Sequence, residues 1–193
     1  RASELRARIE AGVDPDVASG EGWTALHYAS FLGRRNAVET LLRAGARVDA
    51  RSWNGQTPLF RAALRGDRAI ARMLVARGAD VGARSLTGET VLTAAIAGGH
   101  AEVARLLVQH GADPDVRDPR SRQTPLAFAV SNRHTDLVRD LLEAGANANE
   151  RGASGAPPLV LAARAGSRDV VALLLDAGAD PDLRTTQIGR AHV

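Results

Sequence analysis

The chain contains no cysteine. Disulfides, thiolate metal sites and cysteine nucleophiles are therefore closed to it. Lysine is also missing: all 25 basic residues are arginine. The formal net charge is only +3, so the pI of 10.7 reflects a guanidinium that does not titrate rather than a large positive excess. It is not a nucleic-acid signature. Aromatic residues are scarce, 3% against 45% apolar residues overall. A core must be built from Ala, Leu and Val, which suits thin, closely packed helices. No apolar run is long enough to span a membrane, and no signal peptide is visible. No histidine pair has H-E-x-x-H spacing, and Gly98-Gly99 lacks the following lysine of a phosphate loop. The arginine, alanine and glycine bias fits translation of a GC-rich, bacterial genome.

What is present is a repeat. Ser85 to Arg117 reads SLTGETVLTAAIAGGHAEVARLLVQHGADPDVR, and Ser52 to Arg84 reads SWNGQTPLFRAALRGDRAIARMLVARGADVGAR. Threonine opens successive copies at Thr24, Thr57, Thr90 and Thr124. Glycine closes them at Gly12, Gly45, Gly78, Gly111, Gly145 and Gly178. Each step is 33 residues except one of 34, so one residue is inserted in a loop before Thr124. A fixed period of this length predicts stacked supersecondary units, none able to bury its apolar face alone.

Within a copy the signals predict helix, turn, helix, loop. Thr57 is an N-cap and Pro58 sits at the first helical position, where its missing N–H costs nothing; Thr124-Pro125 repeats the pair. Leu59, Ala62 and Ala63 mark the buried face of the first helix, and Ile70, Ala71, Leu74 and Val75 that of the second. Glycine ends the first helix in four copies. Arg133 takes that place in the fourth copy, and Arg122 replaces its loop glycine. Pro157-Pro158 stands where Thr-Pro belongs in the fifth. These two copies are expected to be the least stable.

The chain resembles the ankyrin-repeat family. Thr24-Ala25-Leu26-His27-Tyr28-Ala29 and Thr57-Pro58-Leu59-Phe60-Arg61-Ala62-Ala63 carry the first half of the family's motif. Gly99-His100-Ala101-Glu102-Val103 and His110-Gly111-Ala112-Asp113 carry the second. The resemblance implies an all-α, ankyrin-type solenoid of stacked helix-turn-helix units joined by β-turn finger loops. It implies a single array over 1–184, with a partial repeat at 1–18 and full repeats at 19–51, 52–84, 85–117, 118–151 and 152–184. Ser3 to Val17 matches only a second helix, with Glu4 and Arg8 at normally apolar positions beside Leu5 and Ile9. This is either a half-cap or a truncated repeat, and without an initiator methionine a fragment is expected. A back-translation of Ile188 to Val193 reads as a sequencing adapter, so 185–193 is expected to be a non-native tail.

Catalysis is not expected, and no residue is assigned to a catalytic, cofactor-binding or metal role. His27, His100 and His134 fall at structural positions of the motif, and His110 at a helix end. Asp14-Pro15-Asp16, Asp113-Pro114-Asp115 and Asp180-Pro181-Asp182 lack the graded spacing of a calcium loop and read as turns. Arg51, Arg84, Arg117, Arg151 and Arg184 recur in every finger and make either a basic ladder for an acidic partner or a strip neutralised by Asp49, Asp80, Asp113, Asp115 and Asp182. In the family, partners meet the finger tips and the exposed side of the first helices. Those positions here are Trp23, Phe31, Leu32, Trp53, Asn54, Leu64, Arg65, Leu86, Glu89, Arg120, Arg122 and Asn132. Exposed Trp and Arg are enriched at binding hot spots; the plainer reading is that the aromatics seal the N-terminal end. The expected function is a non-catalytic scaffold that binds another protein on this concave face, as a cytoplasmic monomer. No small-molecule substrate or membrane insertion is expected; binding of anions or nucleic acid through the arginine ladder is the less favoured alternative. The alternative is a targeting or regulatory segment of a larger enzyme or effector.

Overall fold

The computed structural model describes residues 11–185. The expectations for Glu4, Leu5, Arg8 and Ile9, and that for the 185–193 tail from residue 186 on, lie outside the described residues. Ten helices occur among the described residues, in five pairs. They are α1 (Ala25–Phe31) with α2 (Arg35–Arg43), α3 (Pro58–Arg65) with α4 (Arg68–Val75), α5 (Val91–Ala97) with α6 (Ala101–Gln109), α7 (Pro125–Ser131) with α8 (Thr135–Glu143), and α9 (Pro158–Ala165) with α10 (Arg168–Asp176). The chain divides between Ala112 and Asp113 into two compact units, the first holding α1–α6 and the second α7–α10.

The local chemistry explains each start and stop. Thr57 Oγ1 accepts from the Phe60 N–H at 3.3 Å, and Thr124 Oγ1 from the Ala127 N–H at 3.1 Å. Thr90 and Thr93 form a reciprocal cap: Thr93 N–H donates to Thr90 Oγ1 at 3.1 Å and Thr90 N–H to Thr93 Oγ1 at 2.8 Å. Pro157, in the place of threonine, leaves α9 without a side-chain cap. The first helix of the second full repeat stops at Gly66, whose φ of +76° is left-handed. Arg133 does the same job at φ 58°, and its guanidinium donates to the Ala165 carbonyl at 2.7 Å. The inserted residue sits in the 118–122 turn. There Arg122 N–H reaches the Asp118 carbonyl, at φ 59°, where other fingers close one residue sooner on glycine.

Each helix has seven to nine residues, too short to persist in water. Stacking supplies what they lack. In the first unit α3 packs between α1 and α5, and α4 between α2 and α6; in the second, α7 packs on α9 and α8 on α10. Leu26, Leu41, Leu59, Phe60, Ile70, Leu74, Leu92 and Leu107 fill the first unit's core, and Leu126, Leu137, Leu141 and Leu174 the second's. A fully buried leucine contributes about 1.5–3 kcal/mol. Ala62 and Ala63 are fully buried, as their small size at a close helix contact requires. Val75, expected in the core, is only half-buried at the end of α4.

A second set of contacts ties successive fingers together. An Asp or Asn side chain in one finger accepts from a backbone N–H in the next: Asp16 from Arg47 (2.9 Å), Asp49 from Asp80 (3.0 Å), Asp115 from Asn147 (2.9 Å) and Asn149 from Asp180 (2.8 Å). The arginines reach forward as well. Arg51 donates to the Arg84 carbonyl, Arg117 to Arg151 and Arg151 to Arg184, at 3.0–3.1 Å. Arg117 also pairs with Glu150. The Asp-Pro-Asp motifs are turns, with Asp16, Asp115 and Asp182 N–H groups donating to the carboxylates of Asp14, Asp113 and Asp180.

Candidate functional site

The side chains expected at the binding face divide between the units. Trp23, Phe31, Leu32, Trp53, Asn54, Leu64, Arg65, Leu86 and Glu89 lie in the first. Arg120, Arg122 and Asn132 lie in the second.

In the first unit the finger tips carry the most exposed apolar groups. Trp53 is 71% exposed and Leu86 79%. The fingers are joined edge to edge: Trp53 N–H donates to the Glu21 carbonyl at 3.1 Å, and Leu86 N–H to the Asn54 carbonyl at 2.8 Å. Trp53 lies against the backbone of Gly22, where an added Cβ would come within 2.8 Å of its Cδ1. Behind the tips, Trp23 is half-buried and anchors a ring cluster. Tyr28 stands 4.8 Å from it and Phe31 5.7 Å, centroid to centroid. The Arg61 guanidinium stacks over Trp23 at 3.9 Å, a contact worth about 0.5–2 kcal/mol. Burial lowers the Arg61 pKa from its ordinary value, and the Glu21 carboxylate opposes that shift. Further along, Phe31, Leu32 and Leu64 are exposed where α1 and α3 end. Arg65 crosses Gly33 and donates to the Phe31 carbonyl at 3.1 Å. Glu89 is half-buried and accepts from Thr87 Oγ1 at 3.3 Å.

Tyr28 and Arg61 belong to this surface and were not among the expected residues. The signal was available: each lies three positions before a selected residue, Phe31 or Leu64, on the same helix face.

The second unit presents a different character. Arg120, Arg122 and Asn132 are exposed, but Asn132 Nδ2 is turned onto the Phe128 carbonyl of its own helix at 2.9 Å. The Arg122 carbonyl accepts from the Arg117 guanidinium at 3.1 Å. Leu175 is the one large apolar side chain of this unit exposed among the described residues.

The four described histidines serve the scaffold. His27 is fully buried; its Nδ1 accepts from the Thr24 N–H at 3.2 Å, which leaves Nε2–H to donate to the Gln56 carbonyl at 2.9 Å. Burial is the chief cause that lowers its pKa, and the Arg61 charge adds to it. His100 Nε2–H donates to the Leu64 carbonyl of the preceding repeat at 3.1 Å, and His110 Nδ1–H to the Leu106 carbonyl at 2.8 Å. His134 stacks on Phe128 at 5.8 Å.

The family model for ankyrin repeats matches at 4–85, 52–118, 77–152 and 113–185. The chain is an ankyrin-repeat protein. Ankyrin repeats are generally protein-interaction modules, and the fold is typically non-enzymatic. The structure is similar to the human ASB11 ankyrin repeat domain, with TM-score 0.72 and 30% identity over 97% of this chain and 83% of that one. Among curated relatives, the E3 ubiquitin-protein ligase KEG of Arabidopsis thaliana is 35% identical over 71 residues, 37% of this chain and 4% of that protein. The human 2-5A-dependent ribonuclease is 48% identical over 60 residues, 31% of this chain and 8% of that protein. The chain thus spans a small fraction of the length of these relatives. Among the described residues no helix is long and apolar enough to cross a membrane.

Proposed function

We propose that this ankyrin array binds another protein through the first unit, on the shelf formed by Trp53, Leu86, Trp23, Tyr28, Phe31 and Leu64. One observation carries the reading. All the large apolar side chains that stand exposed among the described residues, except Leu175, belong to the first unit. Grouped exposure of this kind marks contact surfaces, whereas scattered apolar residues need no explanation. Trp53 supplies large apolar area at low entropic cost and is the expected hot spot. Affinity capture with the wild-type chain and with Trp53→Ala tests it. A protein retained by the wild type and released by Trp53→Ala supports the shelf. Equal retention by both refutes it, and retention lost only with Arg120→Ala or Asn132→Ala moves the site to the second unit.

A second reading is favoured by the lengths of the relatives: two are enzymes of which this chain spans 4% and 8%. On it, the array is a targeting segment of a larger enzyme. A catalytic motif in the same reading frame beyond either end supports this; a frame that ends near both termini excludes it.

A further inference from the structure

A cleft of about 480 Å³ opens in the first unit between the start of α2 and the turn that leads from α3 into α4. Arg35, Arg65, Arg68 and Arg72 line it together with one carboxylate, Asp67. Asp67 is already committed: its Oδ1 caps α4 at the Ile70 N–H (3.1 Å) and pairs with Arg35 at 3.2 Å. Arg68 is 3.7 Å from Glu102, the outer limit of an ion pair. The Arg72 guanidinium, one helical turn from Arg68, has no ion-pair or hydrogen-bond partner among the described residues. Four guanidinium groups against two carboxylates, Asp67 and Glu102, both already paired, leave a local positive excess, which a bound anion relieves.

The cleft is continuous with the apolar shelf through Arg65, which ends α3 and bonds the Phe31 carbonyl. The eight residues of α3 measure about 12 Å at 1.5 Å each, the span of about four residues of extended chain. We propose that the cleft takes the carboxylates of an acidic peptide segment whose apolar anchor, about four residues away, lies on the Trp53–Trp23–Phe31 shelf. This rests on the shelf being the docking face. Guanidinium forks suit carboxylates because they donate two parallel hydrogen bonds. A nucleic-acid strand fits less well. It requires a basic groove that follows many phosphates, whereas Glu21 and Glu89 flank the shelf, and Arg51, Arg117 and Arg151 spend donors on neighbouring carbonyls.

The test uses short fluorescein-labelled peptides, each with one Phe set about four residues from a Glu-Glu pair, with Gln-Gln and Lys-Lys counterparts and an oligothymidylate. Fluorescence anisotropy is read at low and at physiological ionic strength. The expected order is Glu above Gln above Lys, with Glu binding weakened by salt. Arg72 is exposed on α4, so Arg72→Glu is expected to fold, as circular dichroism will report, and to weaken the Glu peptide about tenfold. Arg72→Lys is expected to retain most of the affinity. Equal binding of Glu and Gln peptides, no binding of either, or indifference to Arg72→Glu overturns the inference. An oligothymidylate that binds more tightly than the Glu peptide overturns it in favour of nucleic acid. Loss with Trp53→Ala alone leaves the shelf and removes the acidic occupant. Loss with Arg72→Glu alone supports the acidic occupant and removes the shelf.

Discussion

Gly66 and Gly99 hold the same place in consecutive repeats, with nearly the same backbone, φ +76° and +74°. Their surroundings differ. A Cβ on Gly66 would lie 2.3 Å from His100 Nδ1 and 2.6 Å from its Cγ, whereas one on Gly99 would meet nothing within 4 Å. Gly99→Ala should therefore cost only the left-handed strain of a non-glycine residue, about 1 kcal/mol after the smaller entropy of the unfolded alanine chain is counted. Gly66→Ala carries the same strain and also drives the imidazole off its rotamer. That move forfeits the His100–Leu64 hydrogen bond, worth about 1 kcal/mol net, and adds about 0.5–1.5 kcal/mol of rotamer strain or lost packing. The total is about 2.5–3.5 kcal/mol. Urea unfolding followed by tryptophan fluorescence reads the first unit directly, since Trp23 and Trp53 both lie there. Far-UV circular dichroism reads the whole chain. In a His100→Ala background the cost of Gly66→Ala should fall to that of Gly99→Ala, because the obstructing ring is gone. Equal losses for Gly66→Ala and Gly99→Ala in the unaltered background would refute the close approach of His100.

Further outcomes follow from the caps and from the buried histidine. Thr57→Ala removes the acceptor of the Phe60 N–H and should cost about 1 kcal/mol, while Pro157→Thr supplies the cap that α9 lacks and should gain a few tenths to about 1 kcal/mol; an unchanged urea midpoint in either variant counts against the assignment. His27 has a folded pKa below its ordinary 6.5, so the unfolded chain binds more protons between those two values. Stability should be flat above about pH 7 and fall as the pH drops below about 6.5 through the folded pKa. His27→Gln should flatten that fall, and a midpoint that rises on acidification refutes the sign.

The features legible in the sequence are those that one repeat's backbone imposes on itself. Thr57 and Thr124 announce helix starts because a cap requires a short oxygen side chain at one position. Arg122 and Arg133 stand where other copies have glycine, and both adopt the positive φ that such a place imposes. Features that depend on register between repeats were not legible. The recurrent arginines posed an open choice between a basic ladder and a neutral strip. In fact Arg51, Arg117 and Arg151 donate to carbonyls about 33 residues ahead. The arginine cleft draws on Arg35, Arg65, Arg68 and Arg72 from two consecutive copies, so no single copy displays it. Val75 was misplaced because the apolar spacing marks a helix face without marking where that face reaches solvent.

The forward hydrogen bonds from Asp16, Asp49, Asp115 and Asn149 each span a single repeat. Among the described residues these bonds brace only neighbouring repeats within each unit, so detaching one finger frees only the next layer. Stretched in an optical trap, each unit should lengthen in discrete steps of one repeat, 33 residues or about 110 Å of contour. A truncation should likewise be felt by the adjoining layer and fade beyond it.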